Sequence, residues 1–509
     1  MTPVVWSIAG TDSGGGAGLA ADQRAADAFG VHLCPVVACV TAQHSQAVTH
    51  VEPMPAALLE AQLHALAQDM PPAAIKTGLL GGAQAVRTVA RWVDRLRERA
   101  PVALVVDPVL GASTGACFAD DATVAAYRDE LLPRATVVTP NAGEARRLLG
   151  DAACTPPAAG RALRALGARA ACVTGGDAAQ ACGRVLDWLD TPHARGWLAD
   201  ARIDTPHTHG TGCTHATSVA CALALGFVAA DAAVLAKMAT AHALRQGRAA
   251  GRGAGPVMAS RGFALAAPVP MLGWGEATPF ADAPRVAESR DLGLYAIVDG
   301  AERVRQVLAA GVRSVQLRIK PAPAAAALVA AARESLAACR AAGAEFFLND
   351  HAALAREIGA GVHLGQEDLL ALGDAGRAEL AARGVPLGIS THSLWELARA
   401  RSLAPRYVAC GPVWPTLTKA MPWVAQGPDN LAWWCRAAAA PVVAIGGILD
   451  PAQARTAARW GAGGVCIVRG LGDDPGATVP AFAHALAAGR ADARAAAPEL
   501  PHPTLRGEP

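Results

Sequence analysis

No stretch of the 509 residues carries the dense mixture of lysine, arginine and aromatic side chains that grips a nucleic acid. With 45 basic against 43 acidic residues and a formal charge of +2, the sequence argues against a nucleic-acid partner. The twelve cysteines are scattered, and even the closest pair, Cys34 and Cys39, makes no CxxC ligand pair or thioredoxin-like motif. No secretory leader is read at the start, so a reducing cytoplasm is the expected compartment. The longest run without a charge, Thr205 to Ala230, could span a bilayer by length, but its first third is His, Thr and Gly. A buried helix explains it better, and no membrane association is expected. The 52% hydrophobic share is inflated by alanine, so composition says "globular" and little more.

The chain is longer than one hydrophobic core usually sustains, which predicts two domains. In the first part, apolar runs such as "PVVACV", "VALVVDPV", "TVVTPN" and "AACVTGG" alternate with Ala/Leu/Arg stretches of helical period, the pattern of an α/β fold with a mainly parallel sheet. The pattern lapses into a proline-rich stretch without clear period, read as a linker over 268–290 between domains at 1–267 and 291–490. The second domain carries eight strand candidates, beginning at Gly293, Ser314, Glu345, Gly361, Pro386, Tyr407, Pro441 and Gly464. Eight strands alternating mostly with helical segments predict a TIM (β/α)8 barrel. Residues 491–509 hold few apolar side chains beyond alanine and are expected to be a disordered tail.

Two glycine clusters mark the first domain. "SIAGTDSGGGAG" lacks the lysine of a Walker A loop and the strict Rossmann spacing, so alone it is a weak nucleotide signature. "HTHGTGCTHAT" opens the apolar helix, where free amides and the positive end of the helix dipole create an anion hole. Taken alone, Cys213 could be a metal ligand, a redox thiol, a packed core residue or a catalyst. "AGTDSGGGAG" with Asp22, "TAQ" ending at Gln43, "IKTG", "VVDPV", "TPNAGEA" and "HGTGCT" together resemble the hydroxymethylpyrimidine/phosphomethylpyrimidine kinases of thiamine biosynthesis. The resemblance implies a ribokinase-like three-layer α/β/α domain. It implies an anion hole of Gly210, Thr211 and Gly212 for the transferred phosphoryl group, with Cys213 catalytic against the acceptor hydroxyl. A helix start would lower the thiol pKa and favour that role. It further implies pyrimidine contacts from Gly10, Asp22 and Gln43, and Mg²⁺ and nucleotide contacts from Asp107 and Glu144. For Glu144, a plain helix-start carboxylate is the competing reading. Thr174 and Ala20 stand where the family commonly has lysine and glutamine.

In the barrel, polar residues fall at the C-terminal ends of strands, where barrel active sites form. "QLRIK" would place Gln316, Arg318 and Lys320 on one face of the second strand. Asn349, Asp350, Asp368, Thr416, Thr418 and Lys419 follow on later strands. Cations converging with two aspartates suggest a divalent metal clamped onto a diphosphate. With "VAIGGI" and "GVCIVRG", this set resembles thiamine-phosphate synthase over about residues 291 to 487. The resemblance implies Mg²⁺ on Asp350 and Asp368. It implies that Gln316, Arg318, Lys320, Asn349, Ser390, Thr418 and Lys419 bind the pyrimidine diphosphate, and that Thr416, Gly446, Gly447, Val468 and Arg469 bind thiazole phosphate. The two halves then make one pathway, with hydroxymethylpyrimidine, ATP and thiazole phosphate as small-molecule partners. Two rivals are a pyridoxal-type kinase fused to a thiazole tautomerase-like barrel, and a kinase carrying a non-catalytic barrel that senses thiamine phosphate. A homo-oligomer is compatible with the sequence, which does not set the oligomeric state.

Overall fold

The computed structural model describes residues 2–111, 118–176, 183–277, 291–320, 324–415 and 422–505. The described residues up to 277 form one compact unit and those from 291 onward another.

Among the described residues of the first unit, ten strands make one sheet: β1 Val4–Asp12, β2 His32–His44, β3 Ala47–Pro53, β4 Ala74–Thr77, β5 Ala103–Val106, β6 Val137–Val138, β7 Ala171–Val173, β8 Arg184–Asp190, β9 Arg195–Ala201 and β10 Met271–Leu272. Their order is β10-β9-β8-β7-β6-β5-β4-β1-β2-β3. The central strands β2, β1, β4, β5, β6 and β7 run parallel, and antiparallel pairs close both ends. Strands covered on both faces need apolar side chains on both, which is why β1 and β5 read as nearly unbroken apolar runs. Alternation then splits each strand between two helical layers. Trp6, Ile8, Ile75, Leu104 and Val106 enter one core with Leu59, Leu63, Val86, Val89, Val93 and Leu163 from helices Ala56–Asp69, Ala83–Arg97 and Pro156–Ala165. Ser7 and Lys76 point the other way, to helices Gly18–Phe29 and Thr211–Ala224. The expected three-layer α/β/α arrangement is what forms.

The second unit closes eight parallel strands into a barrel: β11 Gly293–Val298, β12 Ser314–Leu317, β13 Glu345–Asn349, β14 Gly361–Leu364, β15 Leu387–Thr391, β16 Tyr407–Cys410, β17 Val442–Ala444 and β18 Gly464–Ile467. Each pairs with its successor, and β18 pairs with β11. All eight expected segments are present in order. Tyr295, Phe347, Tyr407, Ala409, Val443 and Cys466 pack in the lumen, so the barrel is a filled core and not a pore.

Three expectations need correction. The linker starts later than 268, because Met271 and Leu272 pair with Ala199 and Leu198 and bury their side chains along with Val269 and Trp274. Proline-rich sequence hid a short edge strand, a position that tolerates neighbouring proline. Strand β12 ends at Leu317, so Arg318 and Lys320 lie in the loop beyond it, where their charges stay in solvent instead of lining the lumen. The tail, expected to be disordered from 491, is ordered through residue 505. The His502 amide donates to Asn430 Oδ1 (2.8 Å), Asn430 Nδ2 donates to His502 O (3.0 Å), and the Val424 amide donates to Thr504 O (2.7 Å). Buried Asn430 replaces the apolar contacts the tail lacks, and Pro498, Pro501 and Pro503 lower the entropy lost on ordering.

The separate compactness of the units predicts that a chain ending at Ala277 folds alone. One ending at Pro268 lacks β10 and the four buried side chains of Val269, Met271, Leu272 and Trp274, each worth about 1.5–3 kcal/mol. Thermal unfolding should show a cooperative transition for the first and a much lower or absent transition for the second.

Candidate functional site

In the first unit, the turn after β1 meets the start of helix Thr211–Ala224 backbone to backbone. A side chain at Gly16 would collide with the His209 ring, and one at Gly210, whose φ is +85°, would collide with the Gly16 carbonyl. Asp12 ties the two segments together. Its carboxylate accepts from the amides of Gly14 (2.8 Å), Gly16 (2.9 Å) and Ala17 (2.7 Å) and lies 2.9 Å from His209 Nε2. Burial alone would raise the Asp12 pKa, but His209 and these amides outweigh it and hold it below the usual carboxylate range. Gln43 Nε2 lies 3.3 Å from the same ring nitrogen. Gly210 occupies the N-cap of the helix, and no side chain among the described residues caps it, which leaves the first-turn amides for a ligand.

Beneath this turn lies an ammonium group wholly out of water. Lys76 Nζ, from the middle strand β4, sits 3.1 Å from both carboxylate oxygens of Asp22 and 3.8 Å from Asp107 Oδ2. Ser7 Oγ (2.6 Å) and Thr217 Oγ1 (2.7 Å) also donate to Asp22. Burial would depress the Lys76 pKa, yet Asp22, Cys213 and Asp107 more than offset this and leave it raised. Asp107 Oδ2 is buried and accepts no hydrogen bond from the described residues. Burial pushes Asp107 up to about 6, with Lys76 opposing and Asp22 adding to the rise. Cys213 is half-buried in the first helical turn. Burial pushes its thiol up to about 12; Lys76 opposes this and the two aspartates reinforce it. Glu144 caps the helix Ala142–Leu149: its Oε2 accepts from the Asn141 amide, and Asn141 Oδ1 accepts from the Glu144 amide, both at 2.9 Å.

In the barrel, the polar groups gather where strands β12 to β15 end. Asp350 follows β13 with φ +67°, a left-handed conformation that costs energy in a non-glycine residue. Its amide donates to the His363 carbonyl (3.0 Å), its Oδ1 accepts from Asn349 Nδ2 (2.8 Å), and its Oδ2 lies 2.8 Å from Lys320 Nζ. Asp368, in the first turn of helix Gln366–Ala371, accepts from the Gly365 amide (2.9 Å). Ser390 Oγ, on β15, lies 2.9 Å from His363 Nε2. Gly446 and Gly447 turn left-handed after β17, where a side chain on Gly447 would collide with Trp414 and the Pro415 carbonyl. Val468 and Arg469 are exposed just beyond β18.

The family model for phosphomethylpyrimidine kinase matches residues 12–258, and that for thiamine monophosphate synthase matches residues 294–471. A rice (Oryza sativa subsp. japonica) protein named "Probable thiamine biosynthetic bifunctional enzyme, chloroplastic" is 32% identical over 462 residues, covering 88% of this chain and 81% of its own. The thiamine biosynthetic bifunctional enzyme of Arabidopsis thaliana is 31% identical over 461 residues, with 88% and 85% covered. The chain belongs to the bifunctional thiamine biosynthetic enzymes. The first unit alone is 42% identical over 259 residues to the hydroxymethylpyrimidine/phosphomethylpyrimidine kinase of Synechococcus elongatus, covering 50% of this chain and 96% of that one.

This bifunctional thiamine biosynthetic enzyme therefore joins a ribokinase-like kinase, with ATP as cosubstrate, to a thiamine-phosphate synthase barrel. The rival pairings with a pyridoxal-type kinase or a sensing barrel fall away. Several residue assignments change with the geometry. Asp22 has no exposed surface and both its oxygens are engaged by protein donors, so it underpins Lys76 instead of meeting a pyrimidine. The helix start does not activate Cys213, because burial and two aspartates dominate its thiol. Gly10 is buried against Cys39 and Leu79. Gln316 is also buried, its amide donating to Tyr295 Oη (3.0 Å). Thr416, Thr418 and Lys419 lie outside the described residues. Lys76, Asp12 and His209 were assigned no role from sequence. A lysine inside a buried strand is the signal that could have exposed Lys76, since such a charge needs a partner.

If Lys76 neutralises Asp22 and Asp107, Lys76→Met leaves two buried carboxylates facing one another. Denaturant unfolding should then show a loss of about 3–5 kcal/mol. A loss below about 1 kcal/mol would contradict this assignment.

Proposed function

We propose that phosphoryl transfer in the kinase unit occurs at the uncapped start of helix Thr211–Ala224. The amides of Thr211 and Gly212, aided by the left-handed turn at Gly210, receive the transferred phosphoryl group. The pyrimidine's polar edge meets Gln43 beside His209, while Asp22 supports the site indirectly by holding Lys76 and Gly10 leaves its floor free of a side chain. Cys213 remains a protonated thiol that hydrogen-bonds near the acceptor hydroxyl, and Asp107 is the carboxylate with spare basicity next to it. Its buried oxygen accepts no hydrogen bond from the described residues and has only the Lys76 ammonium at 3.8 Å, which leaves it able to meet a hard cation, so Asp107, with Glu144, would hold Mg²⁺.

In the synthase unit, Asp350 and Asp368 supply hard oxygen donors from neighbouring strand ends, a set that fits Mg²⁺. Two carboxylates with substrate phosphate oxygens and water would complete the shell of such a cation. When bound, Mg²⁺ would offset the charge of the departing diphosphate. Arg318, Lys320, Asn349 and Ser390 orient that diphosphate, and Thr418 and Lys419 belong to the same reading. Gly446 and Gly447, with Thr416, Val468 and Arg469, take the thiazole phosphate through amides and rim side chains. Departure of diphosphate leaves a cation-like methylene carbon stabilised by the aminopyrimidine, and the thiazole nitrogen captures it. The chain's own contribution is orientation and exclusion of water. The observation that carries this reading is the left-handed Asp350 held between Asn349, Lys320 and the His363 backbone. The ten cysteines among the described residues are free thiols, which supports a reducing, cytoplasmic setting.

Purified protein given hydroxymethylpyrimidine, ATP, Mg²⁺ and thiazole phosphate should make thiamine phosphate. Asp350→Asn or Asp368→Asn should stop the sequence at the pyrimidine diphosphate, which accumulates. Normal condensation by both variants at limiting Mg²⁺ would remove the proposed metal site.

Asp107 yields a separate test. Its pKa is raised by folding, so the folded state holds its proton more tightly than the unfolded state between about pH 4 and 6, and its ionisation is destabilising above that window. Asp107→Asn should therefore raise the melting temperature at pH 8 and leave it nearly unchanged at about pH 3, below the unfolded-state pKa. Phosphorylation should fall roughly 10²-fold or more.

A further inference from the structure

Five buried or half-buried side chains form a continuous hydrogen-bonded path across the barrel floor, from β12 through β11, β16 and β14 to β15. Gln316 Nε2 lies 3.0 Å from Tyr295 Oη, and Tyr295 Oη lies 2.6 Å from Tyr407 Oη. Tyr407 Oη lies 2.7 Å from His363 Nδ1, and His363 Nε2 lies 2.9 Å from Ser390 Oγ. Gln316, Tyr295, Tyr407 and His363 are each at most 6% exposed, so solvent does not compete along the path.

Each hydroxyl carries one proton, which gives the path a direction. The Gln316 amide can only donate through its nitrogen, so Tyr295 accepts from it and donates onward to Tyr407. Tyr407 then donates to His363 Nδ1. A ring nitrogen that accepts from the Tyr407 hydroxyl carries no proton of its own, so the imidazole proton sits on Nε2. That proton goes to Ser390 Oγ, and the Ser390 hydroxyl proton remains for something in the site.

We propose that Tyr407 and His363 are positioning residues for the synthase reaction: they fix the His363 Nε2–H tautomer and thereby aim the Ser390 hydroxyl proton at the pyrimidine diphosphate. This rests on the assignment of Ser390 to the substrate. The hydroxyl then meets the anion as a donor whose direction was set before binding, a preorganised contact that needs no reorientation during departure of the diphosphate. Neither Tyr407 nor His363 has to touch the substrate.

A double-mutant cycle on the full chain tests the proposal, with condensation measured from supplied pyrimidine diphosphate, thiazole phosphate and Mg²⁺. Tyr407→Phe should lower kcat on the order of tenfold, the worth of one hydrogen bond to a charged group, with a smaller change in KM. Ser390→Ala should lower it at least as far, and the double variant should match Ser390→Ala alone. Additive losses, or a wild-type rate for Tyr407→Phe beside a damaged Ser390→Ala, would overturn the relay. A wild-type rate for Ser390→Ala would instead overturn the assignment of Ser390 to the substrate, and the relay with it. The thermal unfolding transition of the barrel unit in each variant, compared with the unsubstituted chain, reports whether that unit is intact.

The second measurement does not depend on the folding of Tyr407→Phe. Imidazole ¹⁵N spectra of the unsubstituted protein, with the His363 signals assigned by their loss in His363→Gln, should show Nδ1 unprotonated and Nε2 protonated. The opposite tautomer would point the Ser390 proton back at His363 and refute the proposal.

Discussion

The kinase unit is organised around the difficulty of keeping one ammonium group out of water. Lys76 lies in the middle of the sheet with no exposed surface, and its charge is tolerable only because Asp22 lies against it and Asp107 stands nearby. That requirement reaches outward. Asp22 must come from the helix following the glycine-rich turn, Thr217 from the helix following the second turn, and Ser7 from the neighbouring strand. The two turns are thereby pressed together, and the helix start faces the space above the buried charges.

The barrel solves its polar problem differently. It places charged side chains at the rim and reserves the lumen for neutral hydrogen-bonding groups. Tyr295 and Tyr407 fill volume among Phe347 and Val443 while their hydroxyls satisfy one another. Neutral groups avoid the desolvation penalty that Lys76 and its partners carry, and they retain the ability to orient a proton. The same chain thus holds polar groups in its interior in two ways, one around a buried ion pair and one on a neutral network with ions at its edge.

The architecture was legible in the sequence because it depends on periodicity, and both the parallel sheet and the eight barrel strands announce themselves as spaced apolar runs. What escaped depends on partners distant in sequence. The strand at Met271 is two residues long and flanked by prolines, too short for any period. The ordered tail depends on Asn430, a residue with no sequence feature to mark it as an anchor. The glycine clusters mark the two turns that the fold brings together, but the raised pKa of Cys213 follows from its burial and from carboxylates contributed by other elements. Likewise the motifs single out Asp22 and Gln316 as candidate site residues. Their burial, which makes them supports, is visible only in three dimensions.

The contact between Asp12 and His209 joins segments 197 positions apart. Loop closure over such a separation is slow and is rewarded only after the strands between have paired. The junction of the two glycine-rich turns therefore cannot form from local structure alone, however complete the helices on either side; it depends on the whole sheet that lies between them in sequence.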